Sequence, residues 1–598
     1  MKLTKTSALL NCLLFFSISV LSQRTSLVYT VKMDNPEWHF FHVQLSCKGL
    51  KQEFIDFKMP AWTPGYYQKM DYGKNLEQLK ATDETGKELK WEKINDNTWR
   101  VSTKNSNNVD LAYEIKTTRS FVATAYLDEN RAYILPAAVF LYIDKMISQP
   151  VQVTVVPDSK WGNVATGMDS IAGKKFTYYA PDFDILYDSP ILVGNLEELT
   201  PFKVRGITHR FIGFKLGEFD RKQFMLDLKK VVDAAVNIIG HIPYKSYTFI
   251  AMGPGQGGIE HLNNTTFGFN GTNLNKRENY IRTLHFLAHE YFHHYNVKRI
   301  RPIELGPFDY DKGSKTKMLW VSEGLSVYYE YLIVKRAGIS TDAELFNAFR
   351  NNMMAFENKP GKRYQTLEQA SYETWSDGPF GRTGDEVNKT ISYYDKGLVV
   401  GLLFDFTIRQ VTNNKRSLDD VMQFLYKEYY QKKKRGLTEE ELRNAFETIA
   451  GTSLADVFEY VTTTKELVYP TYFNYAGLNI DTTTQVLPGA YAGFSLTERE
   501  DSVFIANVDY GSPGWNASIR KAQQVVKLNG EKPSASLFNK LITSARPGDK
   551  ISFTLFINKE PKDIEVILGK KTEKSFKITP AGNPAPLQKQ ILESWLKG

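Results

Sequence analysis

Cysteine is almost absent: Cys12 and Cys47 are the only two in the chain. Cys12 falls in a segment that reads as a leader, so the mature chain cannot close an internal disulfide, and a disulfide-stapled fold is excluded. An exported form must then rest on its hydrophobic cores, with or without a metal. Beyond the leader no run is long and apolar enough to span a bilayer. Neither sign of charge dominates. The formal charge is +8, or about +6 without the leader's Lys2 and Lys5, and over this length that gives little ground for nucleic-acid binding. The densest basic run, Lys432-Lys433-Lys434-Arg435, precedes a helix start at Thr438-Glu439-Glu440-Glu441 and reads as a solvated loop. Internal repeats and low-complexity tracts are also lacking. Histidine is scarce, nine in the chain, so any histidine cluster carries information.

What is present reads as ordinary globular protein, with 42% hydrophobic and 24% charged residues. Aromatics at 13% suit tyrosine-rich β-structure or a peptide-binding surface. A length of 598 residues predicts three or four domains. Residues 1–22 read as a signal peptide: Lys2 and Lys5, an apolar stretch from Ala8 to Val20, and a small-residue cleavage site at Val20-Leu21-Ser22. A membrane anchor is the alternative, but the apolar run is short for a span. The expected location is periplasmic or extracellular.

Three textures follow. Residues 23–200 alternate apolar and polar in short runs, such as Ser26–Val31, His39–Leu45 and Val151–Val156, and predict an N-terminal β domain resembling a sandwich. Pro60-Ala61-Trp62-Thr63-Pro64-Gly65-Tyr66-Tyr67 is a rigid aromatic loop within it. Residues 201–475 change to helical spacing, over Arg221–Ile239, Tyr280–Val297 and Met318–Arg336 and onward, with one strand at Tyr247–Met252. Strands then helices at this scale predict a multidomain α+β chain with a mostly helical catalytic unit. Short strands return over 476–572, enough for one small β-rich module. The tail, 573–598, has helical spacing through Leu587, Ile591, Leu592, Trp595 and Leu596, and is expected to dock on the body.

The strongest chemical signal is His289-Glu290-Tyr291-Phe292-His293. Four residues apart on a helix, the two histidines share a face, so both imidazoles reach one zinc ion. Glu290 projects beside them, where it takes a proton from water. With so few histidines, this pattern arises by chance in about one such chain in a hundred. His285 is on the same face, but eight residues at 1.5 Å rise put its Cα roughly 12 Å from that of His293. Three turns of a straight helix do not converge on one ion, so His285 reads as structural or supporting, as does His294.

A third ligand is needed. Trp320-Val321-Ser322-Glu323-Gly324-Leu325 is apolar with one acidic residue, and a lone buried carboxylate is costly without a cation. Glu330, two turns on, competes with it; spacing favours Glu323. Gly257-Gly258-Ile259-Glu260-His261 follows a strand. Its glycines admit close approach of a backbone, an extended edge can pair with substrate, and the Glu260 carboxylate can hold an ammonium. An ordinary turn with a solvated glutamate accounts for it equally well. Tyr393-Tyr394-Asp395-Lys396-Gly397 opens a helix, and a phenol near the zinc can donate to an oxyanion, although core packing is the default for tyrosine.

Together these residues resemble the glycyl aminopeptidase family of PDZ-containing zinc metallopeptidases. The run from His289 through His293-His294-Tyr295-Asn296-Val297 to Arg301-Pro302 is similar to its zinc helix, with Tyr295 where Trp is expected. Trp320 to Tyr329 is similar to the segment with the third ligand, and Pro60 to Tyr66 to the N-terminal loop. The resemblance implies a thermolysin-like catalytic domain behind a β domain, with one Zn²⁺ per chain on His289, His293 and Glu323. It also implies Glu290 as general base, Tyr394 as the oxyanion tyrosine, and Gly257, Gly258 and Glu260 as the motif reading the substrate amino terminus. Small N-terminal residues, Gly or Ala, are implied in the same way. The stretch from His293 to Glu323 is long for thermolysin-like enzymes, and Gly306 to Ser314 is expected to loop there. Residues 476–572 resemble a PDZ domain, with Ala492-Gly493-Phe494-Ser495 as the carboxylate-binding loop and Gly511-Ser512-Pro513 as a turn. Lys521-Ala522-Gln523 stands in place of the usual Gly-Asp, which weakens the expectation that Gly493 and Phe494 capture a peptide C-terminus.

The expected activity is zinc-dependent removal of N-terminal residues from peptides. A PDZ-guided endopeptidase acting on exported proteins is the first rival. A non-catalytic peptide-binding scaffold is the second, and the intact His289, Glu290 and His293 set argues against it.

Overall fold

The structure, a computed structural model, describes residues 25–50, 52–103, 106–117, 119–378 and 389–598. The leader expected at 1–22, with Cys12, lies outside the described residues. The chain is a multidomain α+β protein, with an N-terminal β-rich part and a helical middle.

Alternation builds the first part. Phe40–Lys48 turns Phe41, Val43, Leu45 and Cys47 inward and its other side chains outward, as a half-buried strand must. It pairs antiparallel with Ser26–Lys32 and with Asn108–Lys116 at the centre of a seven-stranded sheet. Two four-stranded sheets complete this part around a core that includes Tyr29, Phe57, Trp99 and Tyr133. The aromatic loop leaves that core. Trp62 is fully buried among middle-part residues, edge-on to Trp375 at 4.9 Å, and its Nε1 donates to the Asp309 carbonyl at 2.7 Å. The β-rich part thus reaches into the helical part.

The middle begins with a five-stranded sheet in the order Glu197–Val204, Ile207–Gly213, Ser246–Ala251, Asn264–Phe267, Gly258–Glu260. The helix Arg221–Ile239 links two parallel strands; Asp220 caps its start by accepting from Gln223 N–H, and Gly240 ends it at φ 85°. Gly258–Glu260 is the outer strand, antiparallel to Asn264–Phe267. Helices follow, with Tyr393–Val411 buried along almost its whole length.

Two helices differ from the sequence expectation. The histidine helix spans Arg277–Phe292, not Tyr280–Val297, because the chain turns after His293, its C-cap. The Met318–Arg336 segment is split: Trp320–Gly324 forms a π-helical turn and Leu325–Arg336 an α-helix. The expected loop is found after Ile303–Leu305.

At the C-terminal end, five strands and the helix Ala535–Ser544 surround a separate small core of residues such as Ile505, Phe538 and Phe553. The chain enters and leaves this part side by side. Leu478–Asp481 pairs with Lys577–Pro580, and Thr484–Val486 with Thr572–Lys574. The final helix, Pro586–Lys597, then buries Ile591 and Trp595 in the core of the middle part.

Candidate active site

The histidine helix brings His289 and His293 onto one face, as four-residue spacing requires. Their Nε2 atoms are 2.8 Å apart. Glu323 Oε2 lies 3.4 Å from the first and 3.2 Å from the second, and all three side chains are buried. The π turn carries Glu323 there: one extra residue per turn re-aims a side chain, a device common at functional sites. Gly324 lets the turn sit directly on the Tyr393–Val411 helix; a Cβ on it would lie 2.5 Å from the Gly397 Cα.

The other ring nitrogens fix which atoms are free to bind. His293 Nδ1 donates to the Asn296 carbonyl at 2.7 Å, so its Nε2 holds the lone pair. His289 Nδ1 lies 2.9 Å from Glu330 Oε2, which favours the proton on Nδ1 and again leaves Nε2 as the lone-pair atom. Glu330, the competitor for third ligand, therefore sits on the far side of the imidazole. Two lone pairs and a carboxylate oxygen facing one another in a buried site repel unless a cation sits among them. Two imidazoles and a carboxylate are a set that suits zinc. Among the described residues, this is the one cluster of three or more such side chains close enough to share an ion.

The two carboxylates favour positive charge among these groups. Burial opposes charge on His289, and the carboxylates of Glu323 and Glu330 outweigh it, raising its pKa. Burial also disfavours charge on Glu323, but His293 and His289 hold it below the usual carboxylate range. Such mutual stabilisation keeps the carboxylate ionised, as a ligand must be.

Glu290 is buried beside the pair. Burial pushes its carboxyl up to about 7, against the pull of His289 and His293. Gly258 makes room for it, since a Cβ there would overlap the Glu290 carboxylate and Phe286. Thr265 Oγ1 stands 3.4 Å from Glu290 Oε2. The Tyr394 ring lies 6.3 Å from that of His289, and burial followed by the charge of Glu323 pushes its phenol well above the usual range. It stays a hydrogen-bond donor at all working pH values.

A cleft of about 410 Å³ opens over these groups. Its walls come from the aromatic loop (Gly65, Tyr66, Tyr67), Gly258 of the outer strand with Gly257 just before it, the histidine helix, the Leu325–Arg336 helix, and Tyr393 and Tyr394. Gly257 adopts φ 85°, where glycine is the natural residue. Glu260 is not on this wall. It is 3% exposed and lies behind Gly65, whose missing Cβ would fall 2.9 Å from Glu260 Oε2, in a separate small recess that Gly65 and Tyr67 divide from the cleft. Its Oε1 has no hydrogen-bond partner.

Gly493 and Phe494 are not brought to the cleft. They belong to the C-terminal core, where Phe494 stacks on Phe538 at 5.0 Å and the Gly493 carbonyl accepts from Asp509 N–H at 2.7 Å. Sequence reasoning missed Asn296, whose Nδ2 donates to the Val321 carbonyl at 2.8 Å and so ties the histidine turn to the π turn. It also missed Tyr67, buried where Glu260 and Glu323 both raise its pKa after burial itself. Tyr67 belongs to the aromatic loop, so its loop was visible; nothing in the pattern pointed Asn296 at the π turn.

The chain matches two family models: the Peptidase M61 N-terminal domain over residues 28–195 and the M61 glycyl aminopeptidase over residues 282–400. Among solved structures it is similar to an aminopeptidase N family protein from Idiomarina loihiensis, 21% identical, with a TM-score of 0.84 over 96% of this chain and 100% of that one. That likeness shows a shared fold. An M1 zinc metallopeptidase from Deinococcus radiodurans is 14% identical, with a TM-score of 0.45 over 75% of this chain and 95% of that one. No curated protein matches.

Proposed function

The chain belongs to the M61 glycyl aminopeptidase family, and from that premise we propose that this zinc metallopeptidase removes small N-terminal residues, Gly or Ala, from peptides. The observation that carries the reading is the convergence of the His289 and His293 Nε2 atoms on the Glu323 carboxylate, with Glu290 buried beside them.

His289, His293 and Glu323 would hold one Zn²⁺ per chain, which when bound supplies a Lewis acid for the carbonyl and lowers the pKa of water. Glu290 takes a proton from the attacking water and passes it to the leaving amine. A carboxyl near pH 7 in affinity suits both directions of transfer, and a metal charge nearby would lower it further toward the base form. Tyr394 donates to the oxyanion. The outer strand Gly258–Glu260 gives an extended peptide backbone its partner. Glu260, with one carboxylate oxygen unpartnered, receives the substrate ammonium. Tyr66, Tyr67 and Phe121 crowd the cleft wall, which supports a preference for small side chains.

The same reading divides the chain into a signal peptide (1–22), a β domain (23–200), a thermolysin-like catalytic domain (201–475), a PDZ-like module (476–572) and a tail (573–598). It places the mature enzyme in the periplasm or outside the cell. Among the described residues no helix is long and apolar enough to cross a membrane. In the PDZ-like module Gly493 and Phe494 would meet a peptide C-terminus. An endopeptidase recruiting substrates through that module is the rival.

Matched peptides with free and acetylated amino termini, assayed with and without chelator, test the proposal. Cleavage of the free peptide alone, lost on chelation and restored by zinc, is expected. Internal cleavage of the acetylated peptide would favour the endopeptidase. Glu290→Gln should lower kcat by about 10²–10⁴ with zinc content unchanged; unaltered turnover would remove Glu290 from the mechanism.

A further inference from the structure

We infer that the outer end of the cleft is a carboxylate subsite, built from Arg282 and His285, which receives the C-terminal carboxylate of a short peptide. The inference rests on the aminopeptidase reading for the direction in which substrate runs.

The histidine helix acts as a ruler along the cleft. Arg282, His285 and His289 follow one another at spacings of three and four residues, so they share a face, and all three line the cavity. His293 continues that face inward. Glu260 sits at that inner end, in a small recess shared with Val297 and Lys298. Along the helix the order is His293, His289, His285, Arg282, and Glu260 lies beyond His293, in the recess that also holds Val297, four residues further along the chain. A peptide whose ammonium meets Glu260 and whose scissile carbonyl lies at His289 and His293 must send its leaving portion toward Arg282. Arg282 is seven residues from His289, roughly 10 Å along the axis, and an extended chain advances about 3.3 Å per residue. Two or three residues beyond the scissile bond bring a C-terminus to the guanidinium. Tripeptides and tetrapeptides fit.

The groups at this end are placed for an anion. Arg282 is exposed at the mouth. Among the described residues it makes no ion pair, and its Nη2 donates to the Asn279 carboxamide at 2.8 Å. Glu330 lies against His289 Nδ1 at 2.9 Å, Glu344 is clasped by Arg277 at 2.8 and 2.9 Å, and Glu278, one turn before Arg282 on the helix, is exposed and forms no ion pair with it. His285 is 8% exposed with its ring edge-on to Tyr331 at 4.8 Å, and its Nε2 has no hydrogen-bond partner. A buried polar atom without a partner is uncommon and costly, and a ligand oxygen would satisfy it. The cleft wall formed by the helices also carries the apolar Phe286 and Val327, so a carboxylate finds its charge partner at Arg282.

The test compares Ala-Ala-Ala with its C-terminal amide on the zinc-loaded enzyme. The free acid should show a KM about tenfold lower than the amide, with kcat within about twofold, since one charge-assisted contact contributes on that scale. Arg282→Ala should abolish the difference in KM between acid and amide. Equal KM values in the wild type, or discrimination that survives Arg282→Ala, would overturn the subsite. Calorimetry on zinc-loaded Glu290→Gln, with and without Arg282→Ala, reads binding without turnover. If the wild type hydrolyses neither peptide, the hydrolytic reading fails, yet tighter binding of the acid that disappears with Arg282→Ala supports the subsite. Equal binding of acid and amide refutes it.

Discussion

At the scale of residues, each imidazole of the His289–His293 pair is oriented by what its other nitrogen touches. His293 is fixed by a backbone carbonyl, that of Asn296, and His289 by a carboxylate, that of Glu330. The second arrangement makes His289 the more basic ligand and the more sensitive to substitution. Glu330→Gln keeps an acceptor but removes the charge. Metal affinity should fall about 10- to 100-fold, measured by competition with a chelator, with the folded state retained. Unchanged affinity would show that Glu330 does not tune His289. The roles of Glu330 and Glu323 illustrate what the sequence leaves open. Both are acidic residues on one helical stretch, two turns apart, and spacing alone ranks them without separating metal ligand from supporting partner. Periodicity assumes a regular helix, and the π turn at Trp320–Gly324 shifts every side chain after it.

At the scale of elements, the site is held by two helix crossings. The π turn is pressed against the Tyr393–Val411 helix through Gly324 and Gly397. A Cβ on Gly397 would lie 2.9 Å from the Gly324 Cα and 3.0 Å from the Trp320 carbonyl, both backbone atoms that cannot swing away. Gly397→Ala must therefore push the two helices apart, which carries Glu323 and Tyr394 in opposite directions. Overpacking of this kind costs about 1–3 kcal/mol. The expected result is a lower melting temperature together with weaker zinc binding and reduced kcat; a variant with native metal affinity would show that the contact is not what positions Glu323. Both glycines were visible in the sequence, within Ser-Glu-Gly and Tyr-Asp-Lys-Gly, but their mutual contact joins segments more than seventy residues apart in the chain.

Across the whole molecule, three connections bind the parts. Trp62 anchors the aromatic loop in the helical core. Asp188, on the β-rich side, meets Lys298 at 2.6 Å and His261 at 3.2 Å, and accepts from Leu262 N–H at 2.7 Å, with Asp188 and His261 buried. Burial raises the Asp188 pKa, but Lys298 and His261 more than reverse this and hold it below its usual value. A carboxylate whose pKa is lowered by folding stabilises the native state above its unfolded pKa of about 3.9, and that stabilisation is lost as pH falls through the folded value. Asp188→Asn leaves Lys298 without its partner and should cost about 3–5 kcal/mol near neutral pH. The gap between variant and wild type should narrow below about pH 4, as followed by denaturant titration across pH. A gap that stays constant with pH would exclude ionisation of Asp188 as its source.

The last connection is the C-terminal helix. Trp595 is buried against Phe349 and Phe406, and its Nε1 donates to Tyr328 Oη at 2.9 Å, on the helix that follows the π turn. Tyr328 and Arg409 both meet Asp405. Trp595→Ala should destabilise the chain by about 3–5 kcal/mol, read as a shifted denaturation midpoint. Loss of zinc should accompany unfolding rather than precede it.

The pairing of His289 and His293 was legible in the sequence, because a four-residue spacing on any helix places two side chains on one face. The three textures of the chain were legible too, because alternation and helical spacing are local properties. So was the docking of the tail, since Ile591 and Trp595 could be buried only against the body. The rest came from contacts between distant segments. Glu330 supports His289 because the π turn rotates the helix that carries it. Glu260 lies behind Gly65 because the aromatic loop crosses from one part of the protein into another. Arg282 and His285 share one cleft with His289 because distant segments wall the helix face on which all three stand. Each of these depends on contacts between residues far apart in the chain, about which local pattern carries no information.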